Sequence, residues 1–206
     1  MSRFDKAAEG WDRSDRRQAI AVDSAGSIID SGLLKPHMHL LDFGAGTGLL
    51  TRHLAPCVRK ITALDLSQKM LEQLSQNARS WAGAAIELVH SDIIDYRTET
   101  LLDGIVSSMS MHHVQDLDAL FQNFARLLKP QGFIAIADLE LEDGTFHSDG
   151  NEGVYHFGFE EERLSAIIST NGFKNICFQK VHEIKKENGK RYTLFLMQAT
   201  KDEASA

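Results

Sequence analysis

The sequence predicts an α/β fold: a seven-stranded, mostly parallel sheet with helices on both faces and an antiparallel C-terminal hairpin strand. Three observations carry this reading. Short apolar runs alternate with amphipathic segments along most of the chain, as right-handed βαβ units require. A turn holding Gly44, Gly46 and Gly48 joins the first apolar run to the helix that follows it. The chain closes with two long strand-like runs around KKENG, a hairpin whose glycine needs a positive φ.

The elements follow in order. Residues 14–31 carry apolar positions at Ala19, Val22, Ala25 (or Gly26) and Ile29, with Ser14 as N-cap and Gly32 as stop, a helical stripe. MHLLDF is a short buried strand, GLLTRHLA a helix and KITALDL a strand. Ser67 caps QKMLEQLSQNARSWA, whose Met70, Leu71, Leu74, Ala78 and Trp81 share one face. AAIELVH is a strand, SDIIDY a loop and DGIVSSM a strand. DLDALFQNFARLLK is an amphipathic helix ended by Pro130 and Gly132; GFIAIADL is a strand and FEEERLSAIISTNG a helix. FKNICFQKVHEI and KRYTLFLMQAT form the hairpin, and Pro36, Pro56 and Pro130 fall between elements, where a missing N–H does least harm. Ligands of such sheets bind beyond the carboxyl ends of the strands. That directs attention to residues 42–48, 65–67, 91–93, 107–113 and 138–157.

The 206 residues, 43% hydrophobic and 25% charged, suit a single domain spanning 1–206 with a full core. Residues 1–32 are expected to form a helical lid and 139–157 an acceptor-site loop. Lys and Arg number 22 against 29 acids, a net charge of −7, which disfavours a nucleic-acid partner. No apolar run of membrane-spanning length occurs, and no membrane partner is expected. Cys57 and Cys177 fit neither a disulfide framework nor a zinc pattern and read as buried free thiols of a cytoplasmic chain.

The glycine turn discriminates among nucleotide-like ligands. In the dinucleotide pattern G-x-G-x-x-G/A the third small position would be Leu49 or Thr51, depending on register, and neither fits. A phosphate-binding P-loop needs Gly-Lys-Ser/Thr, and Leu49 follows Gly48. Asp42 precedes the turn, where a carboxylate repels pyrophosphate and favours a cation such as the ammonium and sulfonium of S-adenosylmethionine (SAM). Asp42 either serves that cation or satisfies N–H groups of its own turn. Asp65, 17 residues after Gly48, suits both ribose hydroxyls of NAD or SAM.

LLDFGAGTG resembles motif I of the class I SAM-dependent methyltransferases, small-molecule members in particular, and the likeness extends in order over most of the chain. It implies their Rossmann-like sheet and a cofactor site using Asp42, Gly44, Ala45, Gly46, Thr47 and Gly48. ALDLS resembles the segment with the ribose acid, here Asp65, followed by Leu66, Ser67 and Met70 near adenine. HSDIIDY implies Asp92 on the adenine amine and Ile93 beside its ring. DGIVSSMSMHHV implies Ser108, Met109 and His113 along the site. RLLKPQGFIAIAD resembles the family's turn into the fifth strand, with Gln131 replacing the commoner first glycine. RFDKAAEGWD resembles a lead-in whose aromatic packs over SAM, with Phe4 and Trp11 matching it.

His112 and His113 raise the question of a metal. Neighbouring histidines on a regular backbone do not converge on one ion, and no nearby carboxylate completes a ligand set, so no metal is expected. His113 is preferred as the imidazole facing the substrate, with His112 packing locally. His37 and His39 share a strand face at the opposite end of the sheet. Within 139–157, His147, Tyr155 and His156 are expected to bind the acceptor, and His113, His147 and His156 are the candidate catalytic bases. DRSDRR near the N-terminus reads as a solvated face suited to attracting an anionic acceptor. The expected reaction is methyl transfer from SAM to a small-molecule acceptor by in-line displacement. An NAD-dependent oxidoreductase and a SAM-binding protein without turnover are the alternatives. SSMSMHH stands where nucleic-acid enzymes of this fold often carry an Asn/Asp-Pro-Pro-aromatic motif, which speaks against methylation of a base amine.

Overall fold

A computed structural model describes residues 2–147, 150–186 and 189–203. Glu187 and Asn188 of the expected hairpin turn lie outside these residues, as do Ser148 and Asp149 of the 139–157 segment. Gly189, which closes the turn, has a φ of 81°.

Seven strands form one sheet: β1 (His39–Phe43), β2 (Lys60–Asp65), β3 (Ala85–His90), β4 (Leu102–Ser108), β5 (Leu128–Leu139), β6 (Phe173–Lys185) and β7 (Arg191–Lys201). Their order is β3-β2-β1-β4-β5-β7-β6. All pairings are parallel except those of β7, which runs antiparallel to β5 and β6. The expected fold class is therefore present, and the strand order reverses between β1 and β4, where such sheets open a crevice.

Among the described residues six α-helices accompany the sheet: α1 (Arg3–Ala7), α2 (Asp15–Asp30), α3 (Leu49–Leu54), α4 (Gln68–Ala78), α5 (Leu117–Leu127) and α6 (Glu161–Thr170). Strand neighbours alternate between two cores, as the two-residue period demands. Leu41, Ile105, Ile134 and Ile136 join Phe121, Phe124, Leu164 and Ile168 on one face. Leu40, Val106, Ala135 and Ala137 join Ala25, Ile28, Leu50 and Leu54 on the other. Ser14, Ser67 and Asp116 cap α2, α4 and α5 through their side chains, each cap contributing about 1 kcal/mol.

Several sequence expectations are corrected in detail. The buried stripe of α2 is Ile20, Ala21, Ser24, Ala25 and Ile28, while Val22 and Ile29 are exposed. Its small residues let α2 lie close to the sheet, so volume and not apolarity marks the inner face. Helix α4 ends at Ala78, and Trp81 reaches back over its last turn to pack with Leu74. Pro130 lies within β5, not between elements, but the β4–β5 ladder jumps from Leu102↔Leu128 to Gly104↔Phe133. The bulge spares Pro130 any ladder bond. Cys57 is half-buried and Cys177 exposed, so neither is the buried thiol expected.

Candidate functional site

The glycine turn leaves the carboxyl end of β1 and enters α3. Gly44 N–H and Ala45 N–H both donate to Leu64 O, at 2.9 and 3.0 Å, which folds the turn over the end of β2. Gly46 has φ 56°, and a Cβ there would meet nothing within 4 Å. Gly48 has φ 87°, and a Cβ would come within 2.6 Å of Trp81 and 2.9 Å of Leu74. One glycine thus keeps the ligand side open, and the other lets the turn close on α4.

The turn borders a cavity of about 780 Å³, within the usual size range of small-molecule sites. Its walls come from the carboxyl ends of β1, β2 and β4, the N-terminal segment and the segment after β5. Asp42, Gly44, Ala45, Gly46 and Thr47 line it. From the following elements come Asp65, Leu66, Met70, Asp92 and Ile93. Ser108, Met109, His113, His147, Tyr155 and Trp11 complete the expected set. Gly48, Ser67 and His156 do not line it. Gly48 packs behind the turn. Ser67 is buried, caps α4 and donates its hydroxyl to Asp5. His156 is bonded through Nε2 to Val114 O at 2.9 Å.

The two acids at the strand ends differ in environment. Asp42 is buried and accepts the Thr51 hydroxyl at 2.5 Å. Burial pushes its carboxyl up to about 7, opposed by the Thr51 hydroxyl and aided by the charge of Asp65. Asp65 accepts Gly46 N–H and Ser67 N–H, each at 2.8 Å. Burial raises its carboxyl above the usual range while those two amides hold it down. Asp65 thereby shapes the glycine turn while keeping further lone pairs for a ligand. Asp92 accepts Ile94 N–H at 2.9 Å and fixes its own loop.

The N-terminal segment is tied across the cavity. Asp5 accepts the Ser67 hydroxyl at 2.6 Å, and Asp12 accepts the Thr47 hydroxyl at 2.5 Å and the Asn77 amide at 2.8 Å. Arg3 reaches His113 Nε2 at 3.2 Å, and Phe4 packs edge-on against His113 and Trp11. Arg16 and Arg17 of DRSDRR face the cavity, and the Arg17 guanidinium lies 3.7 Å over the Trp11 ring.

At the far end of the cavity three imidazoles come together. The ring centroids of His112 and His113 are 4.1 Å apart, and His147 lies 5.1 and 5.8 Å from them. A 3-10 turn at Met111–His113, not a regular strand or helix, lets neighbouring histidines face the same way. The expectation that they diverge is therefore corrected. His112 does not bond locally: its Nδ1 meets Asp138 of β5 at 2.7 Å, and the residue also lines the cavity. Burial holds His113 at about 3 and His147 at about 4, with His112 the next cause in each case. Burial opposes the charge of Asp138, yet the His112 imidazole and the amides of Leu139 and His112 hold its carboxyl below the usual range. Asp138, Arg3, Asp5, Asp12, Thr51 and Asn77 were not singled out from sequence. Of these, only Asp138, at the carboxyl end of β5, stood where the strand-end rule directs attention.

The segment after β5 returns on itself. Leu141 and Glu142 N–H donate to Phe159 O and Phe157 O, and Tyr155 and His156 N–H both donate to His112 O, at 3.0 and 3.3 Å. Tyr155 stays more than half exposed at the cavity mouth. No helix among the described residues is long and apolar enough to cross a membrane.

A methyltransferase-domain family model matches residues 40–132. An uncharacterized methyltransferase of Schizosaccharomyces pombe is 31% identical over 167 residues, 74% of this chain and 57% of that protein. The chain spans about half the length, or less, of the first curated relatives it matches. The solved structure of a DhpI–SAH complex superposes with a TM-score of 0.76 at 17% identity, over 97% of this chain and 93% of that one. A Haemonchus contortus phosphoethanolamine N-methyltransferase 2 in complex with S-adenosyl-L-methionine superposes with a TM-score of 0.70 at 17% identity, over 98% of this chain and 60% of that one. With the strand order, the glycine turn and the strand-end acids, these matches indicate a class I SAM-dependent methyltransferase.

Proposed function

We propose that the chain transfers a methyl group from SAM to a small-molecule acceptor. The observation that carries this is a single cavity with the glycine turn and acids at one end, the imidazoles at the other, and a tied N-terminal segment across it. The cofactor end fits SAM. Gly46 leaves its ligand side open, Asp42 and Asp65 are buried acids, and the glycine turn carries no Lys or Arg to meet a pyrophosphate. Asp65 suits the ribose of NAD as well, and it is Asp42 and the G-x-G-x-G spacing that favour SAM over a pyrophosphate.

In this reading Asp65 accepts the ribose hydroxyls, Asp92 and Ile93 border the adenine, and Leu66 and Met70 supply apolar contact. Asp42 faces the positive charge. SAM supplies an electrophilic methyl on a sulfonium whose leaving group departs neutral. The protein therefore aligns the acceptor and excludes water. Phe4, Trp11 and the loop to Tyr155 do the excluding. The Asp12 and Asp5 tethers hold a segment where a folded macromolecule would have to enter, which favours a small acceptor. His113 and His147, both lowered by burial, stand among the imidazoles at the acceptor end, where a hydroxyl or amine must give up its proton.

Calorimetry with SAM and NAD, followed by an acceptor screen with isotopically labelled SAM, tests the reading. SAM binding and label transfer are expected. NAD binding without SAM binding would overturn it, and SAM binding without transfer to any acceptor would favour a binding protein.

A further inference from the structure

We propose that His112, His113 and His147 form a three-imidazole site for a divalent first-row transition metal, Zn²⁺ foremost, at the acceptor end of the cavity. One nitrogen from each ring lies within 4.8 Å of the other two. The tautomers of two rings are set from behind. His112 Nδ1 must donate to the Asp138 carboxylate, which in the neutral ring leaves Nε2 with its lone pair. His113 Nδ1 must donate to Gly153 O at 2.6 Å, which leaves Nε2 as acceptor for Arg3.

Among the described residues, His112 Nε2 and His147 Nδ1 are buried and have no hydrogen-bond partner. A buried polar atom without a partner is costly, and one cation between the rings would satisfy both. A carboxylate behind a ligating histidine is the usual support of a metal site. Asp138 is itself fixed by the amides of His112 and Leu139, at 3.2 and 2.8 Å.

All-imidazole donors suit Zn²⁺ and its neighbours over Mg²⁺ or Ca²⁺, which take oxygen. Three protein ligands leave a fourth position for water or substrate, here on the cavity side. Drawing the nitrogens in to Zn–N distances of about 2.0–2.1 Å requires His147 to close on the two anchored rings and Arg3 to turn from His113. The site stands apart from the methyl-transfer reading. Its use in that reaction, binding an acceptor oxygen and lowering its pKa, rests on it.

The test uses the full, untagged chain stripped with chelator and titrated with Zn²⁺ by calorimetry and with Co²⁺ by visible absorption. One equivalent is expected, with Co²⁺ bands of a four- or five-coordinate nitrogen site. His147→Ala, with a thermal melt to show that it folds, should weaken binding at least tenfold. Asp138→Asn should weaken it about 10–100-fold. His156→Ala should leave it unchanged. Absence of stoichiometric binding, or binding and spectrum retained in His147→Ala, overturns the proposal, as does an equal loss in His156→Ala. SAM titration in parallel separates this outcome from that of the methyl-transfer reading.

Discussion

Asp12 and Thr47, 35 residues apart, are joined by a hydrogen bond of 2.5 Å that ties the N-terminal segment to the glycine turn. The other Asp12 oxygen holds Asn77, whose amide also donates to Thr47 O at 3.0 Å. The cover of the cavity and the cofactor turn are thus one hydrogen-bonded unit. Asp12→Ala is expected to weaken SAM binding about fivefold, about 1 kcal/mol for a lost hydrogen bond. Amide exchange should quicken in residues 3–13. Equal affinity and exchange in the variant would show the tether to be idle.

Asp65 serves the turn and, in the proposed function, the ribose. Asp65→Asn keeps one acceptor oxygen for a backbone amide and removes the charge. SAM affinity is expected to fall by at least about 1 kcal/mol, the scale of a charged hydrogen bond, with the melting temperature read alongside. A variant that binds SAM as the parent does would remove Asp65 from the ribose.

Asp42 gives a pH dependence with a definite sign. Burial raises its folded carboxyl from 3.8 to about 7, with Asp65 the charged neighbour pushing the same way. The folded state then holds a proton that the unfolded chain releases. Its contribution to stability is full below about pH 4 and is lost as pH rises through 7. A bound cation reverses the preference, so SAM binding near pH 6.5 should release a fraction of a proton. Calorimetry in buffers of different ionisation enthalpy reads this directly. Asp42→Asn should abolish the release and flatten the stability slope between pH 4 and 7. Proton uptake, or a release unchanged in the variant, contradicts the assignment.

Alternation of apolar and amphipathic runs made the sheet and its C-terminal antiparallel strand legible, because burial on both faces writes a simple pattern. The glycine-turn part of the cavity lining was legible for the same kind of reason, since Asp42, the glycines and Asp65 are local signals at strand ends. The meeting of the imidazoles was not. His112, Asp138 and His147 meet only because a 3-10 turn, a strand end and a returning loop converge, and no sequence period records that. Nothing in the sequence marks Asp5 and Asp12, since their partners Ser67 and Thr47 lie on other elements. In α2, counting apolar residues favoured Val22 and Ile29, whereas close packing selected Ala21, Ser24 and Ala25.

Gln131 holds a left-handed backbone, φ 63°, in the bulge entering β5. A side chain there costs about 1–2 kcal/mol, partly offset by the greater entropy glycine loses on folding. Its Nε2 meets Glu203, an exposed contact of little worth. Gln131→Gly is expected to raise stability by about 0.5 kcal/mol on that balance, a rise of a few degrees at most in a thermal melt. A lower melting temperature would mean that the Glu203 contact outweighs the strain.

Gly46 and Gly48 allow the proposed function and the fold to be separated within one turn. Both have positive φ, so alanine costs about 1–2 kcal/mol at either through backbone conformation. At Gly48 the new methyl also collides with Trp81 and Leu74, adding an overpacking cost of about 1–3 kcal/mol. At Gly46 it enters open space on the ligand side. Gly48→Ala should therefore show the larger loss in denaturant midpoint. Gly46→Ala should melt closer to the parent yet bind SAM at least tenfold more weakly, because its methyl occupies room the ligand needs. The two variants falling equally in both measurements would mean that the turn acts only as a packing element, with no ligand side.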